Sequence, residues 1–295
     1  MGQLAEQVVN GLQLGFVYAL IAVGYTMVYG IIKLINFAHG DVIMVGAFVT
    51  FFGLVRGIPW PVAILIGMAV CAILGMVIER LAYRPLRVKG APRIAALITA
   101  IGVSLFIENF ASLRIAFGPD YRQFPAMVPR VQWNVLGVTI SSVQVLIVCV
   151  TLALVLILQL VVYRTKIGKA MRAVALDMDA ARLMGINVDR VIAFTFAIGS
   201  ALAAAAGALL AAAYPQIWPY MGIMPGLKAF TAAVLGGIGS IPGALLGAVL
   251  MGQAEVLTAA YITTDFRDAV AFALLILVLL VRPAGLLGKA GPEKV

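Results

Sequence analysis

Apolar runs of close to twenty residues alternate with short polar connections along most of this chain. The runs at 8–32, 62–81, 94–117, 143–162, 191–213 and 244–260 are continuous, with no polar residue at every second position. About 20 apolar residues in a helix cross the roughly 30 Å of hydrocarbon in a bilayer. Lipid offers no water to unpaired backbone groups, so a span is either a helix or a strand of a closed barrel. Barrel strands alternate apolar and polar residues, and these runs do not. Shorter apolar runs lie at 42–55, 226–235 and 269–281. The pattern predicts an all-α fold: a polytopic transmembrane helical bundle of about eight or nine helical segments, some broken or short. It forms a single domain over 1–295.

The interruptions are as informative as the runs. Residues 36–41 read NFAHGD, directly after the first span and before a run too brief for a full crossing. Asn36, His39 and Asp41 are costly in a membrane unless they face protein or a water-filled cavity. This stretch therefore predicts a broken or re-entrant helix pair beside a transport path. The piece at 226–235 ends in GGIGSIPG and predicts a second short segment. Small residues recur at three- and four-residue spacings in the first span (Gly11, Gly15, Ala19, Ala22), a pattern for close helix packing.

One connection differs from the others. Residues 164–190 hold Arg164, Lys166, Lys169, Arg172, Arg182 and Arg190 with Asp177, Asp179 and Asp189. Its Ala, Met, Leu, Lys and Arg content favours helix. Gly185 is placed to end a helix in the left-handed conformation. Ala180 and Ala181 are small enough to let a partner surface come close. The loop predicts a docking element in the aqueous phase.

Charge sets an orientation. The net charge is +9, which could point to nucleic acid. The basic residues instead gather in the loops at 80–93 and 164–190 and in the tail with Arg282, Lys289 and Lys294. That is the positive-inside pattern, with these loops in the cytoplasm. Hydrophobic residues make up 63% and charged residues 11%, which excludes an ordinary soluble domain. Cys71 and Cys149 both lie in apolar runs and read as packing residues, with no metal-ligand spacing around the single histidine. The start of the chain lacks the basic region of a signal peptide, so the first span is expected to be retained.

Glu108 and Glu255 join Asn36, His39 and Asp41 as candidates for a translocation path or gate, because ionisable groups inside spans are functional candidates. Glu255 has a competing reading as a structural ion pair with Lys228. There is no arrangement of nucleophile and base and no acid–base carboxylate pair, so no enzyme is expected. GLLGK at 285–289 lacks the P-loop spacing and the following Ser or Thr. The chain is expected to bind no cofactor.

The stretch Asp179-Ala180-Ala181 with Gly185 resembles the EAA---G loop of permease subunits of ABC importers, which docks into a groove on the ATP-hydrolysing subunit. Asp179 stands where that motif has Glu, and the motif's downstream proline is missing. A wider resemblance runs in order along nearly the whole chain. Residues 10–48, ERLAYRPLR at 79–87, residues 165–187 and GLKAFTAAVLGGIGSIPGALLG at 226–247 resemble the LivH-type permease of branched-chain amino-acid ABC importers. This implies a multi-pass inner-membrane subunit translocating branched-chain or related amino acids inward. The implied partners are a second, similar permease subunit, two ATP-binding subunits that use ATP, and an extracytoplasmic substrate-binding protein. Asp179, Ala180, Ala181 and Gly185 would form the ATPase-coupling contact. Two alternatives stay open: a related importer for urea or short amides, and a self-contained secondary transporter driven by an ion gradient.

Overall fold

The computed structural model describes residues 2–135 and 137–288. Lys289 and Lys294, assigned above to the basic tail, lie outside the described residues. Among those described, six helices are long and apolar enough to cross a membrane. They are α1 (Gly2–Ile32), α3 (Trp60–Ile78) with its continuation, α5 (Arg93–Ser112), α6 (Ser142–Arg164), α9 (Val188–Ala213) and α11 (Ile241–Tyr261). The shorter α2 (His39–Val55), α10 (Ile223–Gly236) and α12 (Arg267–Val281) complete the bundle.

The centre is built from α1, α2, α9, α10 and α11. Helices α1 and α9 are mostly enclosed by protein, whereas α3, α5 and α6 turn most of their surface outward. Close approach depends on small residues. The backbone of α9 at Gly207 lies against Ile43 of α2, and that of α3 at Gly75 lies against Ser200 and Phe196 of α9. Outward-facing side chains such as Leu105, Leu156 and Leu160 are apolar and exposed, as lipid contact requires. Cys71 is buried as expected, but Cys149 is exposed on α6. An apolar run has the same composition on its lipid face and its core face, so burial could not be read from it.

Two helices start inside the bundle rather than at its ends. Helix α1 stops at Ile32, and the chain turns back through Lys33–Ala38 before α2 begins. His39 then sits against Gly24, where an added Cβ would lie 2.7 Å from the imidazole. Gly24 is eight residues before the end of α1, about 12 Å along the helix axis at 1.5 Å per residue. Helix α10 starts beside it: a Cβ on Gly40 would come within 2.9 Å of the Gly222 carbonyl. The starts of α2 and α10 therefore meet at depth, each as a half-helix. The predicted break at 36–41 and the short segment near 226–235 are both present.

The polar stretch after α5 contains strands that the apolar pattern did not predict. Strands β2 (Gln132–Val135) and β3 (Val138–Ser141) form an antiparallel hairpin, with Trp133 opposite Ile140. Strand β1 (Arg122–Gln123) pairs with β4 (Gln216–Ile217), which lies between α9 and α10. Asn10 near the start of α1 accepts a 2.8 Å bond from Gln144 at the start of α6. These features mark a hairpin end of the bundle. The opposite, basic end carries α4 (Arg84–Val88), α7 (Lys166–Leu176) and α8 (Met178–Leu183).

Candidate functional site

The 164–190 loop folds into two short helices and a turn, each start fixed by a side chain. Thr165 accepts a 3.0 Å bond from the Gly168 amide at the start of α7. Asp177 accepts from the amides of Asp179 and Ala180 at the start of α8. Asn187 accepts a 3.0 Å bond from the Arg190 amide at the start of α9. Such caps satisfy amides that a helix start leaves open. Gly185 has φ +80°, the left-handed conformation expected of it, and the Ile186 amide reaches back 3.0 Å to the Ala181 carbonyl. Helix α7 is strongly two-sided: Met171 and Val174 are buried. Arg172 bonds the Val162 carbonyl at the end of α6 and lies over the Tyr163 ring.

The loop is therefore a formed surface, not a slack connection. Asp179, Ala180 and Gly185 are exposed on it. Ala181 is not: it is 4% exposed and packs inward, so its small size serves the fit of α8 onto the body rather than an approach from outside. What stands out most, and was not evident from the sequence, is an apolar tip. Leu176 and Leu183 are each 89% exposed and Met184 is 82% exposed. Their apolar character was visible, but α8 is too short for periodicity to show which side they take.

The loop is clamped to the first basic loop. Arg84 and Arg87 grip Asp189 at 3.0 and 2.8 Å, and Arg87 also holds the fully buried Glu79 at 2.9 Å. Glu79 opens a π-helical stretch, Glu79–Tyr83, between α3 and α4. At its end Tyr83 donates a 3.1 Å bond to the Asn36 side-chain oxygen in the break before α2. A row of polar contacts thus joins the start of α9 to the broken helix. Glu79, Tyr83 and Arg87 all lie in ERLAYRPLR, yet none was a site candidate from the sequence, because Asn36 and Asp189 lie far from that stretch in the chain.

Asp41 and Glu108 come together at a cavity of about 230 Å³ beside the meeting point of α2 and α10. Asp41, on the first turn of α2, accepts a 2.6 Å bond from the Ser104 hydroxyl of α5. Glu108, one turn further along α5, lies beside it. Tyr25, Phe37 and Phe230 line the apolar part of the wall. Both acids are buried, and no basic side chain lines this cavity among the described residues. Its chemistry favours a group with positive charge attached to an apolar body.

The other candidates separate. His39 is buried against Gly24 and the Tyr25 ring, at 4.4 Å between ring centres, and its Nε2 has no hydrogen-bond partner among the described residues. It braces the start of α2 without lining the cavity. Asn36 is committed to Tyr83. Glu255 sits in a separate cluster: Lys228 of α10 lies 2.8 Å away, Arg267 of α12 3.4 Å, and Tyr18 of α1 donates to it at 3.4 Å. Lys228 also pairs with Asp268 at 2.6 Å. The expected Lys228–Glu255 pair is present, and it ties four helices together.

A family model described as branched-chain amino acid transport system, permease component, matches residues 7–279. The chain is similar to the high-affinity branched-chain amino acid transport system permease protein LivH of Escherichia coli K12, at 48% identity over 98% of this chain and 97% of that one. It is similar to the corresponding protein BraD of Pseudomonas aeruginosa, at 46% identity over 98% of this chain and 97% of that one. A probable branched-chain amino acid transport permease protein LivH of Methanocaldococcus jannaschii is 28% identical over 91% of this chain and 88% of its own length.

Proposed function

The chain belongs to the permease components of branched-chain amino acid transport systems, and on that premise we propose that it is the membrane subunit of an ATP-driven importer carrying branched-chain amino acids inward across the cytoplasmic membrane. The basic end faces the cytoplasm, in keeping with the positive-inside rule. A second, similar permease subunit completes the passage. Two ATP-binding subunits supply the energy, and an extracytoplasmic binding protein delivers the substrate.

The observation that carries this reading is the capped loop with its apolar tip. Three helix starts held by side-chain caps and an Arg–Asp clamp give the tip a fixed position. Exposed Leu183 and Met184 beside Asp179, Ala180 and Gly185 form a compact knob suited to a groove on a water-soluble subunit. Burying each apolar side chain contributes about 1.5–3 kcal/mol. A push on the knob reaches the π-helical stretch through Asp189 and Arg87, and reaches the start of α2 through Tyr83 and Asn36.

The Asp41–Glu108 cavity is the point of passage within this chain. Its carboxyl groups suit the ammonium of an amino acid, and its aromatic wall suits a branched side chain. Neutral urea or an amide has no charge for these acids to meet, so the cavity favours the amino-acid reading over the amide one. The test is uptake of labelled leucine by proteoliposomes holding the four membrane-associated subunits and the binding protein. Accumulation that requires ATP is expected. Accumulation by this chain alone under an ion gradient would contradict the proposal.

A further inference from the structure

We propose that the outward side of α5, together with the start of α10, seats the second, similar permease subunit, and that this sister permease closes the Asp41–Glu108 cavity. The existence of that subunit rests on the functional reading above. The choice of side rests on where the cavity opens and on what rims its mouth.

The mouth lies on the flank of the bundle, within the membrane. Ile101 and Leu105 of α5 and Ile223 and Leu227 of α10 all line the cavity, yet each is between 39% and 53% exposed. The rim is therefore an outward surface. Leu105 stands twelve residues after the start of α5 and seven before its end, about 18 Å and about 10 Å along the axis at 1.5 Å per residue. Lipid tails at that depth would meet two carboxyl groups. Hydrocarbon offers a carboxyl no hydrogen bond and no counter-charge, so such groups face protein or water in a membrane. Helices α3 and α6 also turn apolar side chains outward, such as Ile73 and Leu156, but neither helix contains an Asp or Glu. Lipid satisfies those faces and does not satisfy this one. A water-soluble subunit cannot reach this depth, which leaves a membrane-embedded partner.

Gly102 points to the same side. It is exposed in the middle of α5, and a Cβ there would meet no atom within 4 Å. The other glycines inside helices, from Gly11 to Gly252, all lie against a neighbouring segment within that distance. Their small size serves packing inside this chain, and that of Gly102 does not. A glycine weakens a helix interior by roughly 0.5–1 kcal/mol relative to Ala, whereas small residues in a span let a second helix come close. Gly102, Leu105 and Glu108 follow one another at three-residue steps, so this patch adjoins the cavity mouth. Asn109 is exposed two turns along from Gly102. Its amide nitrogen bonds the Leu105 carbonyl at 2.7 Å, and its side-chain oxygen has no partner among the described residues. Side-chain amides of this kind bond across helices in membranes. The sister permease thus supplies the wall that the cavity lacks, and the cavity becomes a chamber shared by the two subunits.

The test uses the assembled complex in phosphatidylcholine nanodiscs. The photoreactive residue benzoylphenylalanine is introduced at Leu105, at Leu227 or, as a control, at Leu156 of α6. Irradiation is expected to join positions 105 and 227 to the sister permease and position 156 to lipid alone. In a second arm, Gly102→Trp is expected to reduce the sister permease retained on purification severalfold, while Gly102→Ala and Leu156→Trp retain it. The open space at Gly102 leaves this chain room for a larger side chain, so its own expression and insertion should not change. Absence of a protein adduct at 105 and 227, capture of the sister permease at 156 instead, or full retention of it with Gly102→Trp would overturn the proposal. So would capture of a second copy of this chain at 105 or 227, because the partner on this side would then be the wrong one. Uptake that needs no ATP would contradict the importer reading and leave these adducts as they are, so the two failures are distinguishable.

Discussion

Tyr83 and Asn36 are joined by a 3.1 Å hydrogen bond between two buried side chains, one ending the π-helical stretch and the other lying in the break between α1 and α2. It is the point where contacts from the 164–190 loop reach the broken helix. Tyr83→Phe keeps the ring against Phe196, 5.3 Å away between centres, and removes the hydroxyl alone. Losing such a bond costs about 1 kcal/mol, too little to unfold the chain. The expected result is normal assembly with severalfold less leucine moved per ATP hydrolysed. Measuring uptake and hydrolysis on the same proteoliposomes checks it. Asp189→Asn should lower the same ratio, and the double variant should lose less than the sum of the two, as residues acting through one row of contacts do.

Asp41→Asn and Glu108→Gln keep the size of each side chain and remove its carboxyl group. A hydrogen bond to a charged group contributes about 1.5–3 kcal/mol, so transport should fall by roughly ten- to a hundredfold. Ser104→Ala frees Asp41 from α5 and should have a smaller effect. Leucine uptake rates at saturating binding protein distinguish the three. Equal rates in all three variants would remove this cavity from the route.

The Glu255 cluster predicts an asymmetry. Glu255→Ala leaves Lys228 with Asp268 alone and leaves Arg267 with no carboxylate partner among the described residues, around an emptied buried site. Breaking a buried ion pair in this way costs about 3–5 kcal/mol. Lys228→Ala leaves Glu255 with Arg267 and Tyr18, and should cost less. Thermal unfolding of the two variants in detergent should rank Glu255→Ala clearly below Lys228→Ala. The reverse order would mean that Glu255 is not the hub of the cluster.

Gly185 has open space where a side chain would go, yet its φ is +80°. The cost of substitution there is conformational rather than steric. Gly185→Val should weaken ATPase binding by distorting the turn after α8, at about 1–2 kcal/mol. Gly185→Asn should be nearly neutral, since Asn tolerates this conformation. A Val variant that binds as tightly as the parent would show that the turn is not part of the docking surface.

Much of this architecture is legible in the sequence because lipid imposes it. A continuous apolar run can only be a helix there, and NFAHGD can only be tolerated where protein surrounds it. Lys228 and Glu255 were recognisable as partners because opposite charges in apolar runs have few other options. What stayed hidden depends on facing. Ala180 and Ala181 are the same residue type, yet one is exposed and the other buried. Cys149 looked like core because lipid-facing and core-facing residues share a composition. Ser104, Tyr83 and Arg87 carry ordinary polar groups, and only the fold brings them to Asp41, Asn36 and Asp189. The β2–β3 hairpin is too short to impose a period on its sequence.

We propose that the exposed tip of the 164–190 loop couples this permease to ATP hydrolysis. The direct measurement is ATP hydrolysis and leucine uptake, side by side, in proteoliposomes of the full complex with Leu183→Glu and Met184→Glu introduced together. Both residues are exposed, so the chain itself should fold and insert as before. Loss of the ATPase subunits from the purified complex and loss of ATP-dependent uptake are expected. Full uptake and a full complement of ATPase subunits with both substitutions in place would contradict it.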